Sequence, residues 1–220
     1  MKDYNFFDII GPIMIGPSSS HTAGAARIAK SASKIVSRGF TSVVFFLHGS
    51  FAETYLGHGT DKALIAGVLG FEPDDERIKT SYEIAKEKNL GIEFRKVKVS
   101  NAHPNTVEIQ FNYPDEHTEH VTGISIGGGS YELIELNGLD VSLDGKHPTI
   151  IMNYYEQKGV ISSVSSILAD NNYNIATIRN IVKDDNVSLI IELDVPLKDE
   201  ILEEIKALNI FKDVKYIELN

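Results

Sequence analysis

Thr149-Ile150-Ile151-Met152-Asn153-Tyr154-Tyr155-Glu156-Gln157-Lys158-Gly159-Val160 is the stretch from which the fold of the C-terminal third can be read. Its first seven residues are β-branched, aliphatic or aromatic with one Asn, as a half-buried strand requires. After Gly159 the rule changes. Val160, Val164, Ile167 and Leu168 recur at i, i+4, i+7 and i+8, one face of a helix. Residues 174–182 read as a second strand. Val187, Leu189, Ile191, Leu193 and Val195 then alternate with period two, the mark of a third. Ile201, Leu202, Ile205 and Leu208 mark a second helix, and 214–219 a closing strand. Strand, helix, strand, strand, helix, strand is the ferredoxin-like order.

Working back towards the N-terminus, residues 139–148 end in Gly145-Lys146-His147-Pro148 and read as a linker. The expected domains are therefore 1–145 and 146–220. In the first, Ala25, Ile28, Ala29, Ala32, Ile35 and Val36 lie on one helical face, with Gly39 as a stop. Val43-Val44-Phe45-Phe46-Leu47 is a continuous apolar run of strand length and predicts a buried strand. Gly57-His58-Gly59-Thr60-Asp61 opens a second helix, which starts at Asp61, and a third, more polar, covers 74–89. Segments 92–99, 106–113, 118–126 and 131–136 predict an antiparallel section. The class is α/β in the broad sense (α+β), a mixed-sheet domain followed by a small βαββαβ domain.

The chain has 220 residues, which fits one or two domains, and 42 % of them are hydrophobic, enough to bury a proper core. Its net charge is −10, and both expected domains are acidic without a basic run. A nucleic-acid surface needs clustered positive charge, so nucleic acid is not an expected partner. No apolar run approaches the roughly 20 residues of a membrane span. The start, Met1-Lys2-Asp3-Tyr4-Asn5, does not read as a signal peptide. The chain has no cysteine, which excludes thiol nucleophiles and thiolate metal ligands and fits a cytoplasmic location.

Four segments carry chemistry. Ser18-Ser19-Ser20-His21-Thr22 puts hydroxyls and an imidazole where a turn becomes a helix. Such residues cap helices, and the same helix start is a ready anion site; His21 could bind a carboxylate or move a proton. In Gly57-His58-Gly59-Thr60-Asp61, the small residues suit either a plain turn with Thr60 as helix cap or close approach of a ligand to His58. His103-Pro104-Asn105 reads as a turn between strands, though His103 and Asn105 could face one side. Gly127-Gly128-Gly129 lacks the spacing of a dinucleotide loop and precedes a strand, so it reads as a hairpin. His48, His117, His120 and His147 read as structural or surface residues, and no metal site is expected in this chain.

Gly16-Pro17-Ser18-Ser19-Ser20-His21-Thr22 resembles the signature of the iron–sulfur L-serine dehydratases. The Gly57–Asp61, His103–Asn105 and Ser125–Gly129 segments resemble later family segments in the same order. The chain is similar throughout to the short, beta subunit of the two-subunit form. The resemblance implies an allosteric-substrate-binding-like domain over 1–145 and an ACT domain over 146–220. It implies L-serine as substrate, an alpha subunit as partner and a [4Fe–4S] cluster ligated by that alpha subunit. In that reading the cluster iron polarises the serine hydroxyl as a Lewis acid. His21, His58 and His103 become catalytic candidates, with Ser18, Ser19, Ser20, Thr22, Asn105 and Thr60 as substrate contacts. Glu156, Lys158 and Gly159 match an ACT ligand loop imperfectly, since Lys158 replaces the usual proline and Glu156 is longer than the usual aspartate. That loop is either a ligand site or a simple βα turn serving a homodimer contact. A pyridoxal-phosphate dehydratase would need a Schiff-base lysine and a phosphate loop, and no lysine here has such a setting. The rival reading is a non-catalytic serine sensor, like the regulatory half of some 3-phosphoglycerate dehydrogenases.

Overall fold

The computed structural model describes residues 13–218. The expectations for Met1–Asn5, for Ile9-Ile10 and for the last strand at Leu219 lie outside the described residues. The chain forms two compact units, Met1–Asp144 and Gly145–Asn220.

In the first unit a π-helical turn, Ser19–Gly24, runs straight into α1, Ala25–Ile35. The apolar face read from the sequence is the face that is buried: Ala25, Ile28, Ala29, Ala32 and Ile35. β1, Ser42–His48, leads into a short helix α2, Gly49–Thr54, and then α3, Thr60–Val68. A 3₁₀ turn over Glu76–Thr80 precedes α4, Ser81–Glu87, and β2, Gly91–Val97. Four strands follow: β3 Asn105–Asn112, β4 Thr118–Gly127, β5 Ser130–Leu136 and β6 Leu139–Leu143. The sheet order is β2-β1-β3-β4-β5-β6, with β1 and β2 parallel and the other neighbours antiparallel.

One face of this sheet carries the core. In register across it lie Phe45, Ile109 and Val121, all almost fully buried, with Leu133 beside Gly123. The other face is mixed: Glu108, Gln110, Asn112 and His120 are only half-buried. The apolar run of β1 is therefore not covered equally on both sides. Phe46 is half-buried on the open face, where the Arg95 guanidinium lies 5.6 Å from its ring centre.

Four sequence expectations shift. Segment 92–99 reads as part of an antiparallel section, but β2 pairs parallel with β1, since the helices between those strands supply the crossover that parallel pairing needs. The single helix over 74–89 is broken at Thr80, and the buried Ser81 hydroxyl donates to the Lys62 carbonyl at 3.0 Å. Helix α2 was not foreseen, being too short to show a period. The linker over 139–148 contains β6. Asn137 and Gly138 both have positive φ, the hairpin geometry that an Asn-Gly pair favours, and Val141 and Leu143 are buried behind it.

In the second unit the elements are β7 Thr149–Tyr155, α5 Val160–Asp170, β8 Ile175–Lys183, β9 Asn186–Leu193, α6 Asp199–Lys206 and β10 Phe211–Ile217. The antiparallel sheet runs β10-β7-β9-β8. Its core joins Ile150, Met152, Leu189, Ile191 and Leu193 to Val160, Val164 and Leu168 of α5 and to Ile201 and Ile205 of α6. β8 is an edge strand whose Ile178 and Val182 are exposed.

Candidate functional site

The site is built at the end of the first sheet where β1 and β4 finish and β3 begins. Ser18 caps the π-turn: its Oγ accepts the His21 backbone N–H at 3.2 Å. The turn then runs directly into α1, so its hydroxyls lie at the positive end of a continuous helical run. A π-turn at a helix start is a deviation that recurs at functional sites. Gly24 is needed on its inner side, because a Cβ there would overlap the Ser125 hydroxyl. Ser125 is fully buried and its Oγ donates to the Ser20 carbonyl at 2.9 Å.

His21 is the hub. It is only 8 % exposed. Its Nδ1 lies 3.0 Å from Ser20 Oγ and 3.4 Å from Ser18 Oγ, and its Nε2 lies 2.9 Å from Ser50 Oγ. The His58 ring stands edge-on to it at 4.8 Å between centres, and the Phe51 ring at 5.2 Å. Burial pushes the His21 pKa down from its usual 6.5, and the neighbouring His58 pushes it the same way, against a smaller opposing pull from the Ser50 backbone. The ring is neutral at pH 7.

The sign of the linkage follows. Between the lowered folded pKa and 6.5 the unfolded chain binds more protons, so stability rises with pH. This contribution is whole above about pH 6.5 and is lost as pH falls towards the folded pKa. Denaturation midpoints at pH 7.5 and pH 5.5 are expected to differ less in His21→Gln than in the parent chain.

His58 sits in the turn before α3. Its backbone N–H donates to the Thr54 carbonyl at 3.0 Å, and its own carbonyl accepts the Thr22 hydroxyl at 3.2 Å. Its ring Nδ1 is buried without a hydrogen-bond partner, and so are Thr60 Oγ1 and Asp61 Oδ1. Three residues with orphaned buried polar atoms within four positions are unusual, because such atoms are costly to leave unpaired. The turn reading had Thr60 capping a helix that starts at Asp61. Instead the helix begins at Thr60 itself, with left-handed Gly59 before it and no side-chain cap.

The other expected residues fall as follows. Ser18, Ser20, His21 and His58 come together. Ser19 is half-buried on the same turn, while Thr22 ties that turn to the His58 carbonyl. Asn105 Nδ2 donates to the Ser125 carbonyl at 3.3 Å, which links β3 through Ser125 to Ser20. His103 is exposed and its Nδ1 accepts the Asn105 N–H at 3.1 Å, so it braces its own turn. Among the described residues it makes no ring contact with the His21–His58 pair. In the second unit Glu156 and Lys158 are exposed, Gly159 is left-handed at the start of α5, and the Glu156 N–H donates to the Asp185 carbonyl at 2.9 Å.

Three participants escaped the sequence reading. Ser50 lies on the unforeseen helix α2. Ser125 stood only within a segment matched by resemblance. Tyr82 donates to Asp61 Oδ2 at 3.0 Å from α4, and burial with this carboxylate raises its pKa. No spacing ties Tyr82 to position 61. Among the described residues no group of three His, Cys, Asp or Glu could hold a metal ion.

Comparison with known proteins agrees with these motifs. A family model described as serine dehydratase beta chain matches residues 5–89. The beta chain of L-serine dehydratase from Peptoniphilus asaccharolyticus is 48% identical over 223 residues, covering 100% of both chains. The probable L-serine dehydratase beta chain of Bacillus subtilis (strain 168) is 46% identical over 211 residues, 94% of this chain and 95% of that one. The D-3-phosphoglycerate dehydrogenase of the same organism is 25% identical over 161 residues, 72% of this chain and 30% of that enzyme.

Proposed function

The chain belongs to the serine dehydratase beta chain family, and we propose that its 18–22 turn and His58 form one half of a site for L-serine. It is a subunit of an L-serine ammonia-lyase, which converts L-serine to pyruvate and ammonia. The observation that carries the site reading is the neutral, buried His21 held between hydroxyls and set against an imidazole whose Nδ1 has no partner.

The reaction removes a proton from Cα and hydroxide from Cβ. The aminoacrylate so formed tautomerises, and its imine is hydrolysed to pyruvate and ammonia. The hydroxyls of Ser18, Ser19 and Ser20, at the positive end of the α1 run, hold the substrate carboxylate. His58 takes the Cα proton on its imidazole, with His21 keeping that ring in place. Asn105 lines the approach, while Thr60 is fully buried at the start of α3. His103 serves the turn that carries Asn105.

The residues of this chain do not fit an iron–sulfur cluster, since it has no cysteine. In this reading the partner alpha subunit holds a [4Fe–4S] cluster, which supplies the Lewis acid for the departing hydroxyl. The second unit is an ACT domain. The β10-β7-β9-β8 order supports that, as the exposed edge strand β8 supports a homodimer contact. Its 156–159 loop is the place for an amino-acid ligand. No helix among the described residues is long and apolar enough to cross a membrane.

The test is anaerobic co-purification with a cysteine-rich partner subunit. A brown, oxygen-sensitive complex that forms pyruvate from serine, and loses that activity in His58→Ala, is expected. A colourless chain that binds serine alone and gains nothing from the partner overturns this reading in favour of a serine sensor, the role suggested by the partial likeness to phosphoglycerate dehydrogenase.

A further inference from the structure

Ser50 has no place in the signature segments, yet it is the far hydrogen-bond partner of the buried imidazole. Its position is well determined. It lies in the first turn of α2, which is pressed against the next strand. The Phe51 N–H donates to the Pro104 carbonyl, Gly49 forms a bridge with Asn105, and a Cβ on Gly49 would overlap Pro104. Phe51 is fully buried edge-on to His21. The Ser50 carbonyl accepts the Thr54 hydroxyl at 2.8 Å.

A neutral imidazole carries one N–H, and both nitrogens of His21 face hydroxyls: Nδ1 has Ser20 at 3.0 Å and, farther off, Ser18 at 3.4 Å, and Nε2 has Ser50 at 2.9 Å. One bond must therefore run outward from the ring and the other inward. If Nε2 carries the proton, it donates to Ser50, and Ser20, the nearer of the two hydroxyls at Nδ1, turns its hydroxyl hydrogen onto that nitrogen. Ser20 then presents only lone pairs to an incoming carboxylate, which is repulsive. If Ser50 donates to Nε2, the proton sits on Nδ1 and donates to Ser20 Oγ. The Ser20 hydrogen is then free for the anion.

We propose that Ser50 is a positioning residue that holds His21 as the Nδ1–H tautomer, so that Ser20 donates its hydroxyl proton to the substrate carboxylate. This rests on the reading that the 18–22 turn binds that carboxylate. Ser50 acts through His21 and does not touch substrate.

The test has two arms. In the full chain labelled with ¹⁵N-histidine, two-bond nitrogen–proton correlation spectra report the tautomer directly and need no partner subunit. His21 is expected as Nδ1–H in the parent chain, shifting to Nε2–H in Ser50→Ala and returning to Nδ1–H in Ser50→Thr. In the assembled enzyme Ser50→Ala is expected to raise KM for serine about tenfold, as for a lost hydrogen bond to a charged group. kcat should change much less, since binding is lost equally from ground and transition states, and Ser50→Thr should restore KM. An Nε2–H ring in the parent, an Nδ1–H ring that survives Ser50→Ala, or a fall in kcat at unchanged KM overturns the proposal. If the tautomer behaves as expected but Ser20→Ala leaves KM unchanged, the carboxylate reading fails, and with it the role given to Ser50.

Discussion

Alanine in place of His58 is expected to lower kcat of the assembled enzyme by about 10²–10⁴-fold, the usual range for a general acid–base group. KM for serine should stay within a few-fold, because the carboxylate contacts we propose lie on the 18–22 turn. The reason is local. The His58 backbone is anchored independently of its ring, by its N–H to Thr54 and its carbonyl to Thr22. Truncating the ring therefore leaves the turn in place and removes a buried imidazole nitrogen that has no hydrogen-bond partner. His58→Asn, which keeps a polar group of similar reach, should be as inactive, since an amide does not take a proton at neutral pH. Steady-state pyruvate formation under anaerobic conditions reads the effect, and a thermal melt of each variant confirms that the unit is folded. Retention of a third or more of the parent kcat would remove His58 from the proton transfer.

Gly67→Ala should be the most damaging small substitution in the first unit. A Cβ at position 67 would meet the Ala26 carbonyl oxygen, the Ala29 methyl and the Lys30 backbone nitrogen, each closer than real Cβ contacts come. Two of the three are helix backbone and cannot turn aside as a long side chain could. Overpacking of this kind costs about 1–3 kcal/mol, which lowers Tm by roughly 4–10 °C for a unit of this size. Ala29→Gly should recover part of the loss in the double variant, because it removes one of the three obstacles and the two sites are in contact. The crossing also sets the site: α1 continues the turn that carries His21, and α3 starts two residues after His58. Activity should therefore fall even well below the new Tm. A calorimetric scan unchanged within 1 °C would show that the helices separate freely there.

Much of the fold was legible because local patterning and tertiary burial agree. Ala25, Ile28, Ala29, Ala32 and Ile35 form a helical stripe in the sequence and are the buried stripe of α1. The alternation of Val187, Leu189, Ile191 and Leu193 is the core face of β9. What escaped was short or depended on a partner distant in sequence. Helix α2 has six residues and shows no period. β6 falls in the stretch that reads as linker, although Asn137-Gly138 favours a hairpin. β2 could not be known to run parallel to β1, since pairing direction follows from the crossover path and not from composition.

The site divides in the same way. The Ser18–Thr22 hydroxyls and His58 stood out as residue types beside helix starts, where the chemistry of caps and dipoles is local. Ser50, Ser125 and Tyr82 did not. They lie 29 residues from His21, 105 from Ser20 and 21 from Asp61 respectively. By itself the sequence determined the hydroxyl-rich turn, the imidazoles and the lack of thiols, because each is a matter of residue identity. The tertiary structure alone decided which imidazoles meet, which polar atoms are left unpaired and which hydroxyl faces the far side of His21. Those depend on how β1, β3 and β4 end together, and contact between residues so far apart is set by sheet register and helix packing, which no local pattern records.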